Sequence, residues 1–207
     1  MKVESDGITQ IGKVISKIAN PCFLSISVLA LMALTYSADI RLSIDWIVSL
    51  IIFLILLPWL YVFARTFKEH NIKGLLFSPT AFLKKHPKDV LVIALLFGLS
   101  GLICLYLLEA PLIMLYTYAS LLLGSIMIAL VNKYFRISYH LGTMTILVIM
   151  ASVAWNHNFL LLFFILPIVG WAKNRIKEHS LIQMIGGSTI GIILSCVLIL
   201  FFNNAIV

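Results

Sequence analysis

Long unbroken apolar runs separated by short polar knots set the pattern of this chain. The runs fall at roughly 22–37, 46–64, 90–108, 111–131, 137–154, 158–171 and 180–202. They are continuous rather than alternating, which predicts helices and disfavours a membrane β-barrel. A helix needs about 20 residues to cross a bilayer, and most of these runs qualify. The run 158–171 is short, so its helix either stays inside the bundle or borrows residues from its polar flanks. The pattern predicts an all-α polytopic transmembrane bundle of about seven spans, with six spans plus a re-entrant or surface helix as the alternative. Residues 1–20 read differently. Ile8, Ile11, Val14, Ile15 and Ile18 share one face and Lys13 and Lys17 another, and the segment stops at Asn20-Pro21. It is either an amphipathic segment on the membrane surface or the N-terminal end of the first span. A single transmembrane domain, 21–207, then follows.

Composition agrees: the chain is 62% hydrophobic and 11% charged, against about 25% charged in soluble proteins. The cysteines, Cys22, Cys104 and Cys196, lie scattered in apolar runs, with neither metal spacing nor a disulfide framework. No cleavable signal peptide is expected, because some twenty mixed residues without a small-residue cleavage site precede the first run. A net charge of +7 reads here as membrane topology and affinity for anionic headgroups, not nucleic-acid binding. Seven alternating crossings place fourteen of the fifteen Lys and Arg residues on one side and leave only Arg41 on the other. The positive-inside rule then predicts an integral protein of the cell or inner membrane with a cytoplasmic N-terminus. Trp46, Trp59, Trp155 and Trp171 lie near span ends, as interface anchors do. His157 and Glu109 read as turn residues on the far side. The one long connection, 65–89, carries His70 and His86; it either lies on the headgroups beside the charged knots or is a plain positive-inside loop.

Two knots on the basic side carry the candidate chemistry. The first is Lys133, Arg136, Ser138 and His140; the second is Lys173, Arg175, Lys177 and His179. One out-and-back hairpin separates them, so the chain returns to its starting side. Each histidine lies at or within a turn of a helix N-terminus, where unpaired amides and the positive helix pole favour an anion. Gly186, Gly187 and Gly191, with a Gly-x-x-x-Gly spacing from 187 to 191, allow close helix contact. That contact would draw the last helix, and with it His179, towards His140.

These residues resemble the type 2 phosphatidic acid phosphatase superfamily of membrane lipid phosphatases over about 130–195. That family carries Pro-Ser-Gly-His and then Ser-Arg-x5-His-x3-Asp. Here Ile137-Ser138-Tyr139-His140 stands at the first motif and Ala172-Lys173-x5-His179-x3-Gln183 at the second. The resemblance implies a core at about 111–202 and a phosphohistidine mechanism without metal or cofactor. In that mechanism His179 attacks phosphorus, and His140 protonates the leaving group. Lys133, Arg136, Ser138, Lys173 and Arg175 hold the oxygens, and Gln183 stands where the orienting carboxylate would be. The implied substrate is a lipid phosphate or a prenyl phosphate or diphosphate. Four departures stand out: Gln183 for Asp, Ala172 for Ser, Lys173 for Arg, whose bidentate grip Lys lacks, and Tyr139 for Gly. A cyclase or lyase acting on a prenyl diphosphate, or a non-catalytic binder of lipid phosphate, are the alternatives. A prenyltransferase needs paired carboxylates for Mg²⁺, which the basic-side connections do not offer. A transporter would show midplane charges and a repeat, and neither is seen.

Overall fold

A computed structural model describes residues 7–68 and 87–206. No strand occurs among them; the chain is a helical bundle. In order, the helices are α1 Gly7–Ile18, α2 Pro21–Tyr36, α3 Ile40–Ile51, α4 Leu57–Lys68, α5 Pro87–Ile93 and α6 Leu99–Leu107. They continue with α7 Leu112–Val131, α8 Tyr139–Ala154, α9 Ile165–Arg175 and α10 Leu181–Ile206. A π turn at Ile52–Leu56 fuses α3 and α4 into one rod, and another at Ala94–Gly98 fuses α5 and α6.

The first π turn has a local cause. Pro58 has no N–H to offer Leu54 O and its ring crowds that carbonyl, so the helix widens. The Leu54 carbonyl takes a thiol instead: Cys22 Sγ lies 3.8 Å away. Asn20 and Asp39 start α2 and α3 as N-caps, each accepting a backbone N–H two residues on at 3.0 Å.

Five of these helical units are long and apolar enough to cross a membrane: 40–67, 88–107, 112–131, 157–175 and 181–201. α1 and α2 make a sixth if taken as one span bent by 43°. The expected short segment 158–171 does borrow from its flanks. A 3₁₀ stretch, His157–Phe164, precedes α9, and the helix runs on to Arg175. Since 3₁₀ geometry rises about 2.0 Å per residue, the unit reaches roughly 32 Å, enough for the hydrocarbon core. α8 has 16 residues and spans only about 24 Å. It is the inner helix: Leu141 to Val148 are all buried, as expected of a helix apolar on every side. Helices α2, α7, α9 and α10 surround it.

α1 answers the two readings of the N-terminal segment. It leans on α9, where a Cβ on Gly12 would lie 3.4 Å from Ala172 O. Ile11, Val14 and Ile18 stay exposed outside the bundle, and Lys13 and Lys17 form a separate exposed face. It meets α2 at a bend of 43° and keeps the amphipathic character. Most of the 65–89 connection lies outside the described residues, including His70 and His86. Its ends meet: Asp89 is buried, 3.7 Å from Arg65 Nε, and accepts the Tyr61 hydroxyl at 3.2 Å.

One cluster, with Leu29, Met32, Trp46, Leu50, Met114, Tyr118 and Met150, fills the interior. A smaller one, with Ala19, Leu141, Met144, Leu166, Val169 and Met184, fills the end that carries the knots. Trp46 is 3% exposed, and its indole N–H donates to Leu108 O at 2.9 Å, satisfying a carbonyl at the close of α6. Trp46→Phe should therefore cost about 1 kcal/mol for the lost bond, and Trp46→Ala about 3–5 kcal/mol. Thermal unfolding in detergent micelles measures the pair; a Trp46→Phe protein as stable as the parent would show that the indole bond contributes nothing.

Candidate functional site

The two knots meet at one end of the bundle. After α7, Asn132 turns the chain by accepting the Ile137 N–H at 2.6 Å. Ser138 N–H then donates to Gln183 O at 2.8 Å, tying the start of α8 to the first turn of α10. So close an approach needs glycine. A Cβ on Gly187 would lie 2.2 Å from Ser138 O, and one on Gly191 would lie 2.6 Å from Gly142 O. The Gly-x-x-x-Gly spacing thus works as expected, by letting two backbones touch.

Between the knots lies a crevice of about 280 Å³ lined by Tyr134, Phe135, Arg136, Ser180, Ile182 and Gln183. Arg136 supplies charge, Ser180 and Gln183 supply hydrogen bonds, and the other three give an apolar wall. Lys133 lies beside it with its ammonium 5.2 Å from the Tyr134 ring centre, a cation–π contact.

At the head of α10, Ser180 and Gln183 form a capping box. The Gln183 N–H points at Ser180 Oγ at 3.4 Å, and Ser180 N–H donates to Gln183 Oε1 at 3.1 Å. The Ser-x-x-Gln spacing announces this box in the sequence, and Ser180 is the lining residue that the histidine motifs alone did not point to. The same Oε1 lies 3.2 Å from His179 Nδ1. An oxygen that accepts an amide N–H is an acceptor, so Nδ1 must carry the proton in this contact. The lone pair of neutral His179 is then on Nε2. Gln183 therefore orients His179 and selects its tautomer, without adding charge.

The other expected residues are placed differently. Lys173 is 2% exposed, and its Nζ is 2.7 Å from Glu178 Oε2 inside the turn between α9 and α10. That turn closes with Lys177 in the left-handed region at φ 57° and with Glu178 N–H on Lys173 O at 3.0 Å, a helix-ending motif. Arg175 is exposed in the last turn of α9. Ser138 Oγ is buried and has no hydrogen-bond partner among the described residues; the backbone of Ser138, not its hydroxyl, joins the knots. His140 is half-buried, two residues before Gly142, which faces α10. Two residues turn a helix by about 200°, so His140 leaves α8 on the side away from α10. It lies one turn from Met144, which belongs to the cluster with Ala19, Leu166, Val169 and Met184. The structure thus brings Arg136 to one crevice with Ser180 and Gln183, and His140 does not line that crevice. No group of His, Cys, Asp and Glu suited to a metal occurs among the described residues.

Fold and crevice together define a polytopic α-helical membrane protein with an arginine-lined crevice at one end of its bundle, one of whose lining residues, Gln183, holds His179. The chain matches no family model, no curated protein and no solved structure.

Proposed function

We propose that this protein takes the phosphate of a membrane amphiphile, a lipid phosphate or a prenyl phosphate or diphosphate, into the crevice between Arg136 and the head of α10. There His179 is the nucleophile of a phosphatase-like reaction. The carrying observation is the His179–Gln183–Ser180 chain, which leaves Nε2 as the attacking atom. Arg136 balances charge on the phosphoryl oxygens, and Phe135 and Ile182 line the apolar side. Attack by Nε2 on the terminal phosphorus forms phosphohistidine and breaks its bond to the leaving oxygen, that of the lipid alcohol in a monophosphate or of the remaining lipid phosphate in a diphosphate, and an alkoxide so released takes its proton from solvent. Water hydrolyses the phosphohistidine and returns the histidine with inorganic phosphate. The positive-inside count puts this crevice on the cytoplasmic face.

Binding without turnover is the second reading. It is favoured by the Lys173–Glu178 pair, which takes one cation away from the phosphate, and by the neutral Gln183. The test is phosphate release from phosphatidate and farnesyl diphosphate by purified protein in mixed micelles. His179→Ala should abolish release while leaving lipid retention within about threefold, since Arg136 remains. Release that is absent in the parent, or indifferent to the substitution, removes the phosphatase reading. Retention that survives Arg136→Ala unchanged removes the crevice as well.

A further inference from the structure

The apolar wall of the crevice continues down α10, and this bears on where the tail of the proposed ligand runs. Ile182 lines the crevice and is 69% exposed, and Phe135, in the same wall, is 59% exposed. Beyond Ile182, at steps of three and four residues, follow Ile185, Thr189, Ile193, Cys196 and Leu200, all exposed. That spacing keeps them on one face of the helix. Met184, Gly187, Gly191 and Ser195 repeat the same steps on the opposite face and are buried; there Gly187 and Gly191 meet α8. Thr189, the one hydroxyl of the outer stripe, donates to Ile185 O at 3.0 Å, so the group turned to lipid is already satisfied. From Ile182 to Ile193 the stripe descends roughly 16 Å at 1.5 Å per residue, about half of the hydrocarbon core and therefore one leaflet.

Resting on the proposed function, we infer that the crevice opens sideways into the bilayer along this stripe. The amphiphile then enters laterally, its tail lying on Ile182, Ile185, Thr189 and Ile193 while its phosphate meets Arg136. Arg136, Ser180 and Gln183 form the polar part of the same crevice, so the junction of headgroup and tail falls at Ile182. Approach from water would draw the tail out of hydrocarbon, at a cost that grows with every methylene. Approach along α10 carries no such cost, because lipid tails are as apolar as the side chains of the stripe. For the same reason the stripe adds little affinity of its own, and the phosphate contacts decide which lipid stays.

The test is photo-crosslinking of the full-length His179→Ala protein in phosphatidylcholine vesicles, since without the nucleophile the bound lipid is held and not cleaved. The two probes are a phosphatidate and a phosphatidylcholine with the same chains and a diazirine at the same carbon, midway along one chain. The phosphatidate probe should label α10 between Ile185 and Ile193 at least about tenfold more than the phosphatidylcholine probe, the enrichment expected of one charge-assisted contact to Arg136. Unlabelled phosphatidate should remove the excess, and so should Arg136→Ala at an unchanged melting temperature. Equal labelling by the two probes would mean bulk lipid only. An excess on another helix would put the tail elsewhere, and a stripe that neither probe labels would mean that a second copy of the chain covers it. Each of these three results overturns the lateral route. If one of them is found while phosphatidate retention still depends on Arg136, phosphate binding in the crevice stands and the route alone falls. If retention is indifferent to Arg136→Ala, crevice and route fall together.

Discussion

Gly187→Val should leave the protein unable to hold its fold, and Gly187→Ala should lower its stability by about 1–3 kcal/mol or more. A Cβ at this position would lie 2.2 Å from Ser138 O, 3.2 Å from Ser138 C and 3.4 Å from Gly142 N. These are backbone atoms, which cannot swing aside as the end of a side chain can. The start of α8 must therefore separate from α10, and the bond from Ser138 N to Gln183 O goes with it. Gly7→Ala is the control, since nothing lies within 4 Å of its Cβ position. Thermal unfolding in micelles, followed by tryptophan fluorescence and by recovery of monodisperse protein, reads both. A Gly187→Ala protein as stable as the parent would mean the two helices are not in backbone contact. Because the same contact assembles the crevice, any folded Gly187→Ala protein should also show reduced phosphate-lipid retention.

Gln183→Glu should raise the rate of phosphate release by roughly ten- to a hundredfold. In a serine protease triad, replacing the orienting carboxylate by an amide costs about 10⁴, largely through the wrong histidine tautomer. Here the amide already selects the productive tautomer, since its oxygen is fixed as an acceptor by Ser180 N–H. What it lacks is charge to stabilise the imidazolium that forms as Nε2 becomes bonded to phosphorus. Glutamate has the length of glutamine and supplies that charge through the same 3.2 Å contact. A pure binder would respond in the opposite direction: no release, and weaker retention, because a new anion faces the phosphate. Initial rates with phosphatidate, beside equilibrium retention of the same lipid, separate the two outcomes. Faster release supports His179 as nucleophile; unchanged absence of release with weakened retention supports the binding reading.

The apolar runs were legible because a bilayer demands length and continuity, and both are properties of the chain written out. Each expected run coincides with a helix or a fused helical unit, and the boundaries at Asn20-Pro21 and Asp39 follow from caps and a proline that act locally. The Lys173–Glu178 pair was not legible. The motif gives Lys173 to a phosphate, and only the closed turn with a left-handed Lys177 folds the lysine inwards onto Glu178. The direction of His140 was hidden in the same way. Its motif placed it near the second knot in sequence terms, but which side of α8 it leaves is set once Gly142 is the residue pressed on α10.

By itself, then, the sequence determined the membrane class, the helix positions and the glycines that permit contact. Each of these follows from transfer free energies or from backbone sterics within a few residues. Tertiary structure decided which cations face a ligand, which nitrogen of His179 holds the lone pair, and that α8 sits inside while the others face lipid. The closing of the α9–α10 turn and the capping of the α10 head set the first two, and packing between different helices sets the third, choosing among partners that the linear order leaves equivalent.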